Sequence, residues 1–124
     1  MKLISEILIL LVAIIHFYIV YLEMFAWTTK GKATFKSFPA DLFEKTKGLA
    51  ANQGLYNGFL AVGLIWSLLI FDVNWSCNVA YFFLGCVMVA GIYGAVTVQK
   101  TILFVQTIPA GLALLFTILY HNSI

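Results

Sequence analysis

Four long apolar stretches, separated by short polar segments, dominate the chain. They occupy residues 3–27, 49–71, 76–98 and 101–120. Each approaches the roughly 20 residues that an α-helix needs to cross about 30 Å of hydrocarbon. Because a lipid interior satisfies no backbone hydrogen bond, such runs are expected to be helices rather than barrel strands of about ten residues. The pattern predicts an all-α membrane protein: one domain, residues 1–124, folded as a bundle of four transmembrane helices.

Composition supports a chain built for lipid. Of its 124 residues, 63% are hydrophobic and only 10% are charged. A water-soluble domain of this size needs more charge to cover its surface. We find no metal-ligand cluster, no phosphate-binding glycine loop and no basic patch for nucleic acid, and the sequence indicates no particular cofactor. The expected partner is the lipid bilayer.

The lysines predict how the chain is oriented. All seven basic residues are lysines; five of them lie in the connection formed by residues 28–48, and Lys100 lies between the third and fourth stretches. The turn between the second and third stretches has none. By the positive-inside rule, both lysine-bearing connections face the cytoplasm and both termini are extracytoplasmic. We therefore expect a multi-pass protein of the plasma membrane.

The cytoplasmic connection, residues 28–48, combines its lysines with apolar side chains, namely Phe35, Phe38, Leu42 and Phe43. Pro39 is able to open a short helix there. A segment of this kind can lie flat on an anionic membrane surface. A plain lysine-rich loop explains the composition equally well, so both interpretations stay open.

Polar residues inside the stretches gather in the cytoplasmic half of the predicted bilayer, whereas the outer half is almost purely apolar. Glu23 lies near the cytoplasmic end of the first stretch, and His16 lies two turns deeper on the same face. An intramembrane carboxylate is by default a functional-site hypothesis. The candidates for a pocket, some of them able to carry a proton, are Glu23, His16, Asn52, Gln53, Tyr56, Asn57, Tyr93 and Gln106. Each alone is equally explained as a hydrogen bond between helices, and their shared depth favours a pocket.

One contact within this group can be predicted. Lipid offers a carboxyl no partner, so Glu23 should point into the bundle and bond to a polar residue of the second stretch. That stretch enters the membrane at a comparable depth with three amide side chains. Asn57 is the first choice, and Gln53 or Asn52 is next.

Small residues define a second face of the second stretch. At about 100° per residue, they fall nearly opposite the polar arc of Asn52, Gln53, Tyr56 and Asn57. A small residue at every fourth position lets helix backbones approach closely. The residues expected to pack in this way, inside the bundle or between protomers of a homo-oligomer, are Gly54, Gly58, Ala61, Gly91 and Gly94.

Pro109 interrupts the hydrogen bonding of the fourth stretch. Because proline has no N–H, the carbonyl of Val105 loses its helical partner. That carbonyl is then available as an acceptor beside Gln106.

Two runs of residues carry a resemblance to a known family. They are His-Phe-Tyr-Ile-Val-Tyr-Leu-Glu-Met-Phe at residues 16–25 and Asn-Gln-Gly-Leu-Tyr-Asn-Gly-Phe-Leu at residues 52–60. With them, essentially the whole chain resembles the domain-of-unknown-function 1304 family of small bacterial proteins. The resemblance implies a membrane protein with four spans and supplies no activity.

The second stretch is also faintly similar to the membrane-associated proteins of eicosanoid and glutathione metabolism, which are trimeric four-span enzymes. Asn52 and Asn57 match the polar start of their second span. The chain contains no arginine, however, and lysine is a poor geometric substitute where a guanidinium clamps a carboxylate. The similarity therefore does not imply glutathione conjugation.

Three classes of function remain open. In the first, the polar pocket binds or processes a small or amphiphilic molecule, with Glu23 or His16 as proton carrier and Asn57 as a positioning group. In the second, the protein is a small proton-coupled transporter that uses Glu23; in this it resembles the small multidrug exporters, which also have four short spans and one glutamate in the first. In the third, it is a structural or accessory membrane protein without chemistry. The absence of a polar track beyond His16 slightly favours a pocket open to one side.

Overall fold

The computed structural model describes residues 1–124, and it is helical throughout, with no strand. The helices are α1 (Lys2–Phe25), α2 (Lys30–Thr34), α3 (Ala40–Lys45), α4 (Lys47–Leu69), α5 (Val73–Thr97) and α6 (Ile108–His121). A π-helical segment, Leu103–Thr107, leads directly into α6. The predicted all-α class is confirmed.

Three helical segments are long and apolar enough to cross a membrane. They are Lys2–Phe25, Val73–Thr97 and Leu103–His121. The 23-residue helix α4 is long enough to span but is not among them, since its first half carries several amide side chains. The fourth span therefore stays a prediction.

Helix α5 begins earlier than the predicted start at residue 76. The carboxylate of Asp72 accepts a hydrogen bond of 2.9 Å from the backbone N–H of Trp75 and so caps the helix. Such a cap satisfies one of the donors that a helix leaves unpaired in its first turn. Residues that we expected to form a turn therefore belong to α5.

The fourth apolar stretch is not one regular helix. In the π-helical segment, the N–H of Ile108 reaches back to the carbonyl of Leu103. The next residue is Pro109, whose ring would clash with the carbonyl of Val105 in a regular α-helix. The wider π turn relieves that crowding, and segments of this kind are frequent at functional sites.

The chain divides into two compact units, and the first, which we call the terminal unit, comprises Met1–Ile15 and Leu60–Ile124. Its buried apolar cluster draws on α1, α4, α5 and α6: Ile9, Val12, Ala13, Leu64, Ala80, Leu84, Val87, Ala110 and Ala113. Two hydrogen bonds join pairs of these helices. Ser5 Oγ lies 2.7 Å from Thr117 Oγ1, and Ser76 Oγ donates to the carbonyl of Ser67 at 2.8 Å.

The central unit, His16–Phe59, contains the lysine-rich connection. Trp27 lies at its centre, with ring centroids 5.5 Å from Phe35 and 5.0 Å from the buried Phe43. Phe38 contacts both phenylalanines, with centroids 5.7 and 6.3 Å away. These spacings are typical of favourable aromatic pairs. We call these four residues the aromatic cluster.

The connection is therefore folded around its aromatic residues, which neither interpretation of the sequence predicted. The short helix expected after Pro39 is present as α3. The indole N–H of Trp27 donates to Thr46 Oγ1 at 3.0 Å and fixes the ring from the other end of the segment. All five lysines of the connection are exposed around this centre.

Helix α5 offers a matched pair of glycines that tests its packing. A Cβ at Gly91 would overlap Thr107 Oγ1, and it would also lie 3.0 Å from the backbone N of Thr107. A Cβ at Gly85 would meet nothing within 4 Å. We expect Gly91→Ala to lower the free energy of unfolding by about 1–3 kcal/mol, as overpacked cores do, and Gly85→Ala to cause no loss. Thermal unfolding in detergent measures both; equal stability of the two variants would contradict the described contact.

Candidate functional site

The carboxyl of Glu23 is the only acidic group buried inside a long helix of this chain, and it has a partner. Asn57 Nδ2 donates to Glu23 Oε2 at 3.1 Å, so the hydrogen bond predicted between the first stretch and the second is confirmed. Glu23 is 8% exposed and Asn57 is partly buried. Asn57 Nδ2 also lies 3.3 Å from the carbonyl of Gln53, one turn earlier in α4. The amide is therefore held by its own helix while it binds the carboxyl.

The second carboxyl oxygen, Glu23 Oε1, accepts no hydrogen bond from another residue. A carboxylate can accept about four hydrogen bonds, so one amide leaves most of this capacity unused. Glu23 Oε1 is therefore an open acceptor on a buried carboxyl.

Helices α1 and α4 approach closely beside this pair. A Cβ at the buried Gly54 would lie 3.0 Å from Glu23 Cβ and would overlap Met24 Cγ. The predicted separation of α4 into a polar face and a glycine face is wrong at this point, because Gly54 and Asn57 both contact Glu23. The two residues are three positions apart, hence only about 60° apart around the helix.

The remaining members of the predicted pocket lie in different surroundings. Asn52, Gln53 and Tyr56 are exposed, with Tyr56 at 59%. His16 is fully buried in α1. Tyr93, which is 71% exposed, and the partly buried Gln106 belong to the terminal unit.

The five predicted packing residues are distributed over both units. Gly54 is buried in the central unit, and Gly58 is half-buried there, with room for a Cβ 3.5 Å from Val20 Cγ2. In the terminal unit, Ala61 is fully buried and Gly91 is buried against the π-helical segment. A Cβ at Gly94 would lie 3.1 Å from Ile102 Cγ2.

The sequence patterns did not predict a polar cluster at His121. His121 Nε2 lies 2.9 Å from Asn74 Oδ1, which can only accept, so this nitrogen carries the proton. The hydroxyl of Tyr81 lies 3.0 Å from Nδ1 and forms a hydrogen bond with it. The sequence did contain a signal for the cluster. His121 lies near the C-terminus and Asn74 lies in the turn between the second and third stretches, and both were predicted on the extracytoplasmic side of the membrane. The cluster ties the end of α6 to the start of α5.

The terminal unit also contains a cavity of about 280 Å³ where an almost purely apolar region was expected. Its buried floor includes Ser5, Thr117 and Cys77 together with Ile9 and Ala80. The charged residues Lys2, which is exposed, and Glu6, which is half-buried, also line it. The hydroxyl groups were missed because serine and threonine within a long apolar run add little to its polarity.

The fold therefore defines an all-helical protein with helices suited to a lipid bilayer and one buried carboxyl group beside an amide. Residues 10–118 match the family described as "Protein of unknown function (DUF1304)". The chain belongs to this family, and the resemblance noted in its sequence is confirmed.

A relative from Lactococcus lactis subsp. lactis (strain IL1403) carries the description "Uncharacterized protein YpaA". It is 34% identical to this chain over 117 residues, covering 93% of this chain and 94% of the relative. The similarity thus extends over nearly the whole of both proteins. No solved structure matches the chain.

Two glycines one turn apart test the close approach of α1 and α4 at Glu23. We expect Gly54→Ala to destabilise the protein by about 1–3 kcal/mol, because the new methyl group would displace Met24 and press on Glu23. Gly58→Ala, whose methyl group meets only Val20 at contact distance, should be tolerated. Unfolding of the purified variants by denaturant in detergent measures the difference, and a stable Gly54→Ala variant would show that the helices are not held this closely.

Proposed function

We propose that the protein is a four-span membrane protein that binds a small amphiphilic molecule through the Glu23 carboxyl, with Asn57 as the positioning group. The observation that carries the proposal is the open Oε1 of a carboxyl buried in an apolar helix. Placing a carboxyl there costs free energy, and chains that retain one commonly use it. Oε1 would accept a hydrogen bond from the ligand, or a proton would be transferred between the ligand and the Glu23 carboxyl.

Extensive apolar exposure supports a bilayer location. Phe71, Val96 and Phe25 are each more than three-quarters exposed, and many other large apolar side chains are exposed along the helices. Soluble monomers rarely expose contiguous apolar patches of more than a few hundred Å². Lipid covers such surfaces without cost, so the plasma membrane is the environment that we propose.

The buried apolar cluster of the terminal unit supports the proposal of four membrane spans. Helix α4 contributes Leu64 to the same buried cluster as three helices that are apolar enough to span. Its 23 residues correspond to a length of about 35 Å, which exceeds the hydrocarbon thickness of about 30 Å. The polar first half of α4 would then lie at the membrane interface or against a second copy of the chain.

The lysine-rich connection supports an orientation with residues 28–48 in the cytoplasm and both termini outside. Labelling of single cysteines tests it in intact cells, after Cys77 and Cys86 are replaced by serine. A membrane-impermeant thiol reagent should modify Ser123→Cys and leave Lys36→Cys unlabelled until the membrane is permeabilised. The reverse pattern would place the open side of Glu23 outside the cell and overturn the proposed topology.

An apolar carbodiimide tests whether an apolar molecule can reach the Glu23 carboxyl. The carboxyl O–H adds across one C=N bond of dicyclohexylcarbodiimide, and the product rearranges to a stable N-acylurea that retains the whole reagent. We expect mass spectrometry to find this addition at Glu23 in protein reconstituted in lipid. Glu23→Gln should abolish it.

The other acidic residues provide the control. Asp41, Glu44 and Asp72 are exposed and the side chain of Glu6 is 44% exposed, so a water-soluble carbodiimide with an amine nucleophile should modify each of these four equally in both proteins. Asn57→Leu should alter the rate at which dicyclohexylcarbodiimide modifies Glu23. It should leave the modification of the four other acidic residues by the water-soluble reagent unchanged. If dicyclohexylcarbodiimide does not modify Glu23 while the other acidic residues react normally with the water-soluble reagent, the Glu23 carboxyl is only a structural hydrogen-bond acceptor.

A further inference from the structure

The hydroxyl groups on the floor of the terminal unit's cavity donate their protons in hydrogen bonds within the protein. Thr117 Oγ1 donates to the carbonyl of Ala113 at 2.7 Å. A hydroxyl has one proton, so in the 2.7 Å contact between Ser5 and Thr117 the donor is Ser5. Both oxygens therefore present only lone pairs to the cavity.

A third hydroxyl behaves in the same way. Ser76 Oγ lines the cavity and donates to the carbonyl of Ser67 at 2.8 Å. The carboxylate of Glu6 lines the cavity as well and can only accept. Lys2 also lines it, with its exposed ammonium 3.7 Å from Glu6, so an ammonium ligand would compete with Lys2 for this carboxylate. The polar groups contributed by Ser5, Ser76, Thr117 and Glu6 are all acceptors, and the lining side chains that can donate strongly are Lys2 and Tyr120.

We infer that this cavity binds a short-chain primary alkylamine in its protonated form. An ammonium group has three N–H donors and no acceptor, which matches three hydroxyl oxygens, and Glu6 supplies the opposite charge. The alkyl chain would lie along Ile9, Leu68 and Ala80, which also line the cavity. At about 280 Å³, the cavity is just below the roughly 300 Å³ at which sites for drug-sized ligands begin, so the ligand is small.

The inference is independent of Glu23, which belongs to the central unit. Cys77 provides a direct readout, because its buried thiol lies on the floor of the cavity. In a Cys86→Ser background it is the only thiol of the chain. The experiment measures the rate at which methyl methanethiosulfonate modifies Cys77 in lipid nanodiscs, with and without three ligands of equal chain length: n-hexylamine, 1-hexanol and hexanoate.

We expect n-hexylamine to slow the modification at the lowest concentration, 1-hexanol to require about tenfold more, and hexanoate to have no effect. Ser5→Ala removes one acceptor and should weaken protection by n-hexylamine about fivefold to tenfold. Ser37→Ala makes the same substitution at an exposed site of the central unit and should change nothing. Glu6→Gln should reduce the advantage of the amine over the alcohol, because it removes the charge.

Three outcomes would overturn the inference. Equal protection by all three ligands would show a merely apolar cavity. Protection by hexanoate alone would show that the Lys2 ammonium makes the cavity a site for anions. Absence of protection with n-hexylamine would show that no amine reaches the floor. Glu23→Gln should leave every arm unchanged, so failure here is distinct from failure of the proposed role of Glu23.

Discussion

An apolar environment offers no hydrogen-bond partner, so a polar side chain inside a long apolar helix is stabilised by a partner within the chain. This constraint explains the main polar contacts of the structure. Asn57 binds Glu23, and Ser5 binds Thr117. An unsatisfied polar group in such surroundings costs several kcal/mol, more than most individual contacts contribute. The polar contacts therefore select which helix faces meet, and apolar packing follows around them.

The same constraint separates the structural polar groups from those available for binding. Where every donor and acceptor is satisfied, as at His121, the group joins two helices and has little capacity left. Where capacity remains, a ligand can complete it. Glu23 retains an open oxygen in the central unit, and the hydroxyls of Ser5 and Thr117 retain lone pairs in the terminal unit. These are the positions at which we propose binding.

Sequence patterns predicted the features that depend on length, periodicity and depth. The long helices, the helix after Pro39 and the pairing of Glu23 with Asn57 belong to this class. Features that depend on contacts between distant residues were not predictable in this way. Ser5 and Thr117 are separated by 112 positions, and nothing in either neighbourhood indicates the other. The aromatic cluster around Trp27 likewise depends on how the chain returns through Phe43. The face of α4 was misjudged because Asn57 lies at the edge of its polar arc, next to Gly54.

A double-mutant cycle on Glu23 and Asn57 tests most directly the claim that a buried polar pair holds the central unit together. The free energy of unfolding would be measured in mixed micelles for the wild type, Glu23→Met, Asn57→Leu and the double variant. We expect Asn57→Leu to cost at least about 1 kcal/mol more when Glu23 is present, because only then is a buried carboxyl left without its donor. Additive effects, within about 0.5 kcal/mol, would show that the two side chains do not interact and would contradict the account.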